Sequence, residues 1–314
     1  MINQCYGLAE ALPASLGLSI EEKVISLRIP WKWTTPFFRW GSSYALAEKS
    51  DRLNEPYPGL LISCGRQAIL PALQVKKASG GRTIVVHIQN PVINPSHFDA
   101  LVVPQHDHVT GPNVIQTLGA PHRISSEKLA QEHLKFPEFQ KESPNEKIVG
   151  ILIGGACKAY PMDQQSAQRL INSLRDLTQK GYRLLVSPSR RTPTFVIDML
   201  KSQLLQENSE SVYLWNMQGE NPYFSLLSHA DALIVTCDSV CMITEACVTA
   251  KPVYLFPLEG GNRKFEAFHG ALLTQGHVQW FGGTDLKTIP VTPFNEMQSV
   301  VEALQKMLPA LGGI

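Results

Sequence analysis

Short, continuous apolar runs dominate this chain, rather than alternating ones. Residues 59–65, 82–88, 99–103 and 113–117 in the first half read as strands. So do 147–153, 182–186, 213–215, 232–235 and 252–257 in the second. Unbroken apolar runs suit strands buried on both faces of a parallel sheet. Helical spacing fills the gaps. Residues 66–77 put Ala68, Ile69, Ala72, Leu73 and Val75 on one side and stop at Gly80-Gly81. Residues 164–180 line up Ala167, Leu170, Ile171, Leu174 and Leu177, with Gly181 as the cap. Shorter helices are expected at 221–229 and through Phe268 and Leu272, and an apolar one at 297–308. The alternation predicts an α/β chain.

The most informative stretch runs from 232 to 257. An apolar strand breaks at a polar turn carrying Asp238 and Ser239. It restarts as a helix bearing Glu245 two turns in, and a further strand follows. A helix opening straight from a buried strand leaves N–H groups pointing outward, a site for an anion such as phosphate.

Ligands gather at the carboxyl ends of parallel strands. In the first half those ends carry Gly65 and Arg66, Gln89 and Asn90, and the run Gln105 to His108. Arg66 opens a helix, where a cation is unfavourable unless an anion lies near; a side chain pointing into water is the other reading. His106 or Asp107 could act as a general base, although neighbours in an extended loop diverge, and a solvated loop fits the same residues. In the second half, Gly154 and Gly155 end a strand and would let backbone approach a ligand. Ser189, Arg190 and Arg191 end the next, where paired guanidinium forks suit a pyrophosphate. Residues 260–265 add backbone donors and charge.

A chain of 314 residues suggests two domains, and the polar stretch 137–147 reads as their linker. A formal net charge of +1 gives no reason to expect a nucleic-acid partner. Six cysteines form no C-x-x-C pair and have no histidine at zinc-ligand spacing, so no metal is expected. They read as buried thiols in a reducing cytosol. No signal peptide or membrane-length apolar run is present, which points to a cytoplasmic protein. Residues 31–40 pack three tryptophans among basic side chains. That composition fits a membrane interface and equally a loop folded onto a core.

Gly7-Leu8-Ala9-Glu10-Ala11-Leu12, Ile62-Ser63-Cys64-Gly65-Arg66, Asn90-Pro91, Ser189-Arg190-Arg191-Thr192-Pro193 and Thr236-Cys237-Asp238-Ser239 occur in this order. In this combination, over nearly its whole length, the chain resembles the bacterial and plant family named after a plant mitochondrial-fission factor ("elongated mitochondria"). Its bacterial members look like GT-B-type glycosyltransferases. The resemblance implies a GT-B-like α/β fold of two Rossmann-like domains, their parallel sheets facing a central cleft. It assigns 1–143 to an acceptor domain, 144–290 to a nucleotide-sugar domain, and 291–314 to a helix packing back on the first. Family members begin with a strand and a Gly-rich loop ahead of the Asn-Gln seen here at Asn3-Gln4, so a first strand is expected to be missing. By the same resemblance Gly154, Gly155, Ser189, Arg190, Arg191, Asp238 and Ser239 would hold donor phosphates, and Glu245 a ribose hydroxyl.

The activity implied is transfer of a sugar from a nucleotide diphosphate donor to a hydroxyl acceptor in envelope or lipid glycan assembly. The nucleotide sugar is substrate, and no cofactor is required. A lipid-linked acceptor would give 31–40 a purpose as a patch on the inner membrane. Two alternatives stand: a non-catalytic scaffold recruiting partners to a membrane, as the plant namesake suggests, and a sugar-nucleotide epimerase.

Overall fold

The structure is a computed structural model that describes residues 1–12, 19–38, 45–283, 286, 290–292 and 294–309. The chain forms two compact units. Unit 1 comprises Met1–Arg123 and Asn295–Ile314, and unit 2 comprises Ile124–Phe294.

Unit 1 starts with α1 (Ile2–Ala11) and a single turn, α2 (Trp31–Thr34). β1 (Leu60–Cys64), α3 (Ile69–Ala78), β2 (Ile84–Ile88), β3 (Ala100–Pro104) and β4 (Val114–Thr117) follow. The four strands pair in sequence order and all in parallel. Alternate residues face opposite sides. Val86, Ile88, Ala100 and Val102 pack with Leu8 of α1, while Val85, Leu101 and Val103 pack with Ile69 and Ala72 of α3. The expected helix at 66–77 begins as a 3-10 turn over Arg66–Ala68 and becomes α-helical at Ile69, two residues ahead of Pro71. Pro71 thus falls in the first turn, where its missing N–H leaves no intrahelical bond unmade.

His87 is a polar residue inside this apolar sandwich. It has no exposed surface, stacks on Phe98 with centroids 5.1 Å apart, and shares a 2.8 Å hydrogen bond between Nδ1 and Ser63 Oγ. Burial pushes its pKa down to about 4. The unfolded chain therefore takes up a proton near pH 6.5 that the folded chain refuses until about pH 4. Stability is expected to fall across that window on acidification, by about 3 kcal/mol at most, as the shift converts. His87→Gln, which keeps an amide to hydrogen-bond Ser63 but cannot titrate, should flatten this component. The difference in urea midpoint between parent and variant at pH 7 and pH 4.5 measures it, and parallel pH profiles would exclude His87 as the source.

Unit 2 begins with α4 (Ser126–His133), then β5 (Lys147–Ile153), α5 (Gln164–Gln179), β6 (Tyr182–Pro188), α6 (Thr194–Leu200) and β7 (Val212–Leu214). It continues with α7 (Tyr223–His229), β8 (Ala232–Thr236), α8 (Val240–Val248), β9 (Val253–Phe256), α9 (Arg263–Thr274) and β10 (Gln279–Trp280). All six strands are parallel, in the order β10-β9-β8-β5-β6-β7. This is the doubly wound Rossmann order, and it reverses direction between β5 and β8. α5 presents the expected apolar stripe to the core, and Asp163 caps it by accepting from Ser166 N at 2.8 Å.

The chain returns to unit 1 as α10 (Glu296–Met307), whose Val300 and Leu304 join the cluster around Leu8. The Glu296 carboxylate accepts from the backbone N–H of Leu118, and from that of Gly119 at 2.7 Å.

Two expectations are corrected. The polar stretch 137–147 is not the break between units, which falls at Arg123/Ile124. Phe139 anchors that stretch in unit 2, fully buried and edge-on to Tyr213 (4.7 Å) and His229 (5.8 Å). α4 packs on α7 beside it, with His133 stacked on His229 at 3.8 Å. The cysteines are not uniformly buried either. Cys237 and Cys247 are, whereas Cys5, Cys64, Cys157 and Cys241 are only partly buried.

Candidate functional site

In a doubly wound sheet, a crevice opens at the carboxyl ends of the two strands flanking the reversal. Here those strands are β5 and β8. Gly154-Gly155 follows β5, Ser189-Arg190-Arg191 follows β6, Asp238-Ser239 follows β8, and the loop 257–262 follows β9. Every nucleotide-site residue expected in the second half except Glu245 therefore lies on this edge of unit 2.

Their roles differ from those expected. The Gly154 N–H donates to Thr236 Oγ1 and the Gly155 N–H to Asp238 Oδ2, both at 2.8 Å. Thr236 Oγ1 in turn donates to Asp238 Oδ1 at 2.7 Å. The two glycine amides are thus satisfied by β8 and its turn. A Cβ on Gly154 would overlap the Asp238 carboxylate, and one on Gly155 the Arg191 backbone. The glycines permit close approach, as expected, but to other parts of the protein. Asp238 is 2% exposed, and burial raises its pKa against the opposing pull of Thr236, Gly155 and Arg191. It joins the β5 and β8 loops. Ser189 Oγ donates to Gly154 O at 2.7 Å, and Thr192 Oγ1 accepts from Ser189 N at 2.9 Å, fixing the β6 loop to the same point. Ser239 caps α8 by accepting from Met242 N at 3.5 Å.

The groups that face outward are the arginines. Arg190 is exposed, and the Arg191 side chain is 52% exposed, its guanidinium 3.9 Å from Asp238. Across the edge, Gly261 N donates to Ala159 O at 2.8 Å, joining the β9 loop to the β5 loop. Asn262 then caps α9 by accepting from Lys264 N and Phe265 N, with Arg263 and Lys264 exposed beside it. The edge therefore combines two helix starts with a set of cations, an arrangement suited to a diphosphate.

Glu245 lies in the second turn of α8, 7% exposed. Its Oε2 accepts from Tyr223 Oη at 2.6 Å, a partner from α7 that sequence patterning did not reveal. Burial lifts the Glu245 carboxyl to about 7, against the Tyr223 hydrogen bond, and lifts the Tyr223 phenol well above its usual range.

In unit 1, Arg66 does not wait for an anion. Its guanidinium donates to the carbonyls of Lys32, Trp33 and Thr35 at 3.1–3.3 Å, closing the carboxyl end of α2. Those carbonyls carry the negative end of the turn, which answers the cation at its own helix start. Asn90 Oδ1 accepts from Val92 N at 2.8 Å and shapes a turn, while Gln89 Nε2 donates to Gln4 Oε1 at 3.2 Å. Gly65 has φ +83° with Met1 Sδ packed where a Cβ would stand, so it needs to be glycine. His106 and Asp107 sit on a 3-10 turn over Gln105–Asp107 after β3, and His108 takes the left-handed conformation at φ 52°. Among the described residues, no cluster of three or more His, Cys, Asp or Glu could hold a metal ion.

The family model described as "Mitochondrial fission ELM1" matches residues 1–308. The chain is 26% identical over 280 residues to the mitochondrial fission protein ELM1 of Arabidopsis thaliana, covering 81% of this chain and 65% of that protein. The chain thus spans about two thirds of the length of that relative. Among solved structures, UDP-GlcNAc 2-epimerase from Methanocaldococcus jannaschii aligns with a TM-score of 0.48 at 12% identity, over 79% of this chain and 77% of that one. ADP-heptose lps heptosyltransferase II of E. coli aligns at 0.39 and 9% identity, over 81% and 98%. Likeness at that level says nothing of substrate. The match to the family model does cover the chain almost from end to end, and this protein belongs to the Mitochondrial fission ELM1 family.

Proposed function

We propose that the chain is a GT-B-type glycosyltransferase. It moves a sugar from a nucleotide diphosphate sugar to a hydroxyl acceptor in the assembly of envelope or lipid-linked glycans. The observation that carries this reading is the exposed pair Arg190 and Arg191 at the carboxyl end of β6, next to the sheet reversal of unit 2, on a loop held to its neighbours by Asp238, Thr236 and Ser189. Guanidinium groups carried on such loops meet the charge that develops on a leaving diphosphate with charge-assisted, bidentate hydrogen bonds. Glu245, in the next helix, accepts from a ribose hydroxyl. Unit 1 takes the acceptor, with His106 or Asp107 as general base. No cofactor enters, since the nucleotide is the leaving group.

Contact with a membrane fits the exposed face of unit 1. Ile29, Trp33 and Phe37 are 59–70% exposed beside Arg28 and Lys32. The backbone here is internally bonded: Arg66 holds three carbonyls, and the N–H groups of 32–35 bond within the segment. Lipid penalises unpaired backbone groups, so such a segment can enter the interface. Arg39 and Trp40 of the same stretch lie outside the described residues. Among the described residues no helix is long and apolar enough to cross a membrane.

The test is thermal shift with a panel of UDP-, GDP-, ADP-, CDP- and dTDP-sugars. Ligand at ~100 times its dissociation constant adds about 2.7 kcal/mol, several degrees for a protein of this size. A shift with one nucleotide family supports the donor site. No shift with any transfers the reading to a scaffold, and an epimerised donor recovered without acceptor makes it an epimerase.

The same panel tests Glu245. Its carboxyl is the stronger acceptor when ionised, and it stands at about 7. Nucleotide affinity is therefore expected to weaken as pH drops below that value and to level off once the carboxyl is protonated. Glu245→Gln should bind weakly but without that slope, and 2′,3′-dideoxy nucleotides should not show the slope with either protein. A slope retained in the variant would remove Glu245 from the ribose contact.

A further inference from the structure

Glu245 is a buried carboxyl with a single hydrogen-bond partner among the described residues. Tyr223 Oη donates to its Oε2 at 2.6 Å, while Oε1 takes no hydrogen bond from any described residue. No described lysine, arginine or histidine forms an ion pair with it. A carboxyl buried without such a cation is costly, and one kept in that state on a helix that starts at the sheet edge is a candidate for ligand contact.

Tyr223 is well placed to hold it. It opens α7, its backbone N–H donates to Asn221 Oδ1 at 3.1 Å, and Pro222 ahead of it is buried. Its ring stands edge-on to Phe224 at 5.6 Å, and Leu226 and Leu227 in the next turn are fully buried. α8 starts behind Ser239 and carries Glu245 six residues later, ~9 Å along its axis. The hydroxyl and the carboxylate are therefore brought together by two helices that are each anchored elsewhere.

The bond acts with a definite sign. Burial opposes ionisation of Glu245, and the Tyr223 hydrogen bond favours it, leaving the carboxyl at about 7. Without the phenol, burial would meet less opposition, and the carboxyl would be largely protonated at neutral pH. Cys241, one turn before Glu245 on α8, is the other titratable group beside Tyr223.

We propose that Tyr223 is a positioning residue for nucleotide binding: its hydroxyl occupies Oε2 of Glu245, so that the carboxylate stays ionised with Oε1 left to accept from a ribose hydroxyl. This rests on the reading of Glu245 as the ribose contact. Tyr223 acts through Glu245 and does not itself touch the sugar.

The test is titration calorimetry with UDP, GDP, ADP and CDP, and with their 2′,3′-dideoxy counterparts, on both sides of neutral pH. For the ribonucleotide that binds, Tyr223→Phe should move the midpoint of the pH dependence up by about one unit, the effect of one hydrogen bond to a carboxylate. Its affinity should fall below the parent's at neutral pH and approach it at alkaline pH. Cys241→Ser should leave the midpoint in place. In a Glu245→Gln background, which keeps an oxygen for the phenol to donate to, Tyr223→Phe should shift nothing. Carbon-13 NMR of the Glu245 carboxyl without ligand, assigned by Glu245→Gln, reads the same shift directly. A carboxyl titration that Tyr223→Phe leaves in place overturns the proposal alone, with the ribose contact intact where ribo- and dideoxynucleotides still differ. Dideoxynucleotides with the same pH dependence as ribonucleotides overturn the ribose contact and the proposal with it, as does a parent that binds none of the four. A loss of affinity equal at every pH overturns it too, since a change of packing would give that result. Tyr223→Phe keeps the ring, its contact with Phe224 and the amide bond to Asn221, and its Tm certifies that it is folded.

Discussion

Alanine at both Arg190 and Arg191 is expected to abolish measurable nucleotide-diphosphate binding while leaving the unliganded Tm within about one degree of the parent. The two halves of that expectation have separate causes. Hydrogen bonds from guanidinium to phosphate are charge-assisted and contribute about 1.5–3 kcal/mol each, so losing the pair predicts a drop in affinity of at least ~100-fold. Neither side chain holds the fold. Arg190 is exposed, and Arg191 reaches only a long 3.9 Å contact with Asp238 across a half-exposed surface, which at such exposure has little effect on stability. The position of the β6 loop is set instead by Ser189 and Thr192, which the double variant keeps. Titration calorimetry with the nucleotide picked out by the panel gives the first number, and scanning calorimetry the second. Lysine at both positions should recover part of the affinity, since the charge returns without the bidentate fork. Affinity that survives the double alanine change would place the diphosphate elsewhere. A large fall in Tm would instead mean that the arginines belong to the scaffold.

The strands and their parallel order were largely legible because buried strands need nearly every residue apolar, and that pattern survives without knowledge of neighbours. Residues 147–153, 182–188 and 232–236 show it plainly. The sheet edge proposed here as the site was legible too, since it follows from where those strands end. The partners of its residues were not. Nothing local says that the amides of Gly154 and Gly155 are satisfied from β8, 82 and 83 residues on, or that Arg66 closes the carboxyl end of a turn 31–34 residues upstream. A Gly-Gly at a strand end looks the same whether it admits a ligand or a neighbouring loop. Phe139 was missed for a related reason. One buried aromatic in a polar stretch outweighs the composition around it, and its burial, together with the contacts of Arg183 with Gln140 and Glu146 and of Lys141 with Asp231, ties the segment to unit 2. Tyr223 was similarly hidden, since its hydroxyl meets Glu245 only through the packing of α7 against α8.

Gly155→Ala should separate the scaffold from the ligand site most sharply. The added methyl meets the Arg191 backbone, and backbone pinned by Ser189 and Thr192 cannot swing away as the end of a flexible side chain would. Relief requires moving the β6 loop off β5, which also pulls on the Gly155 amide bonded to Asp238. Overpacking of this kind costs about 3 kcal/mol, or roughly 6–12 °C in the Tm of a unit this size. The loss should appear in unit 2 alone. Hydrogen exchange is therefore expected to rise in β5, β6 and β8 while β2 and β3 of unit 1 keep their protection, given that the two units have separate cores. Asp238→Asn provides the complementary change. It retains a carbonyl oxygen for the Gly155 N–H, but loses the charge facing Arg191 and replaces the oxygen that accepts from Thr236 Oγ1 by a donating NH2, so its Tm should fall less than that of Gly155→Ala. Equal losses in the two variants would mean that the Asp238 carboxylate and its hydrogen bonds, rather than the close approach of the two loops, hold this edge of the sheet together.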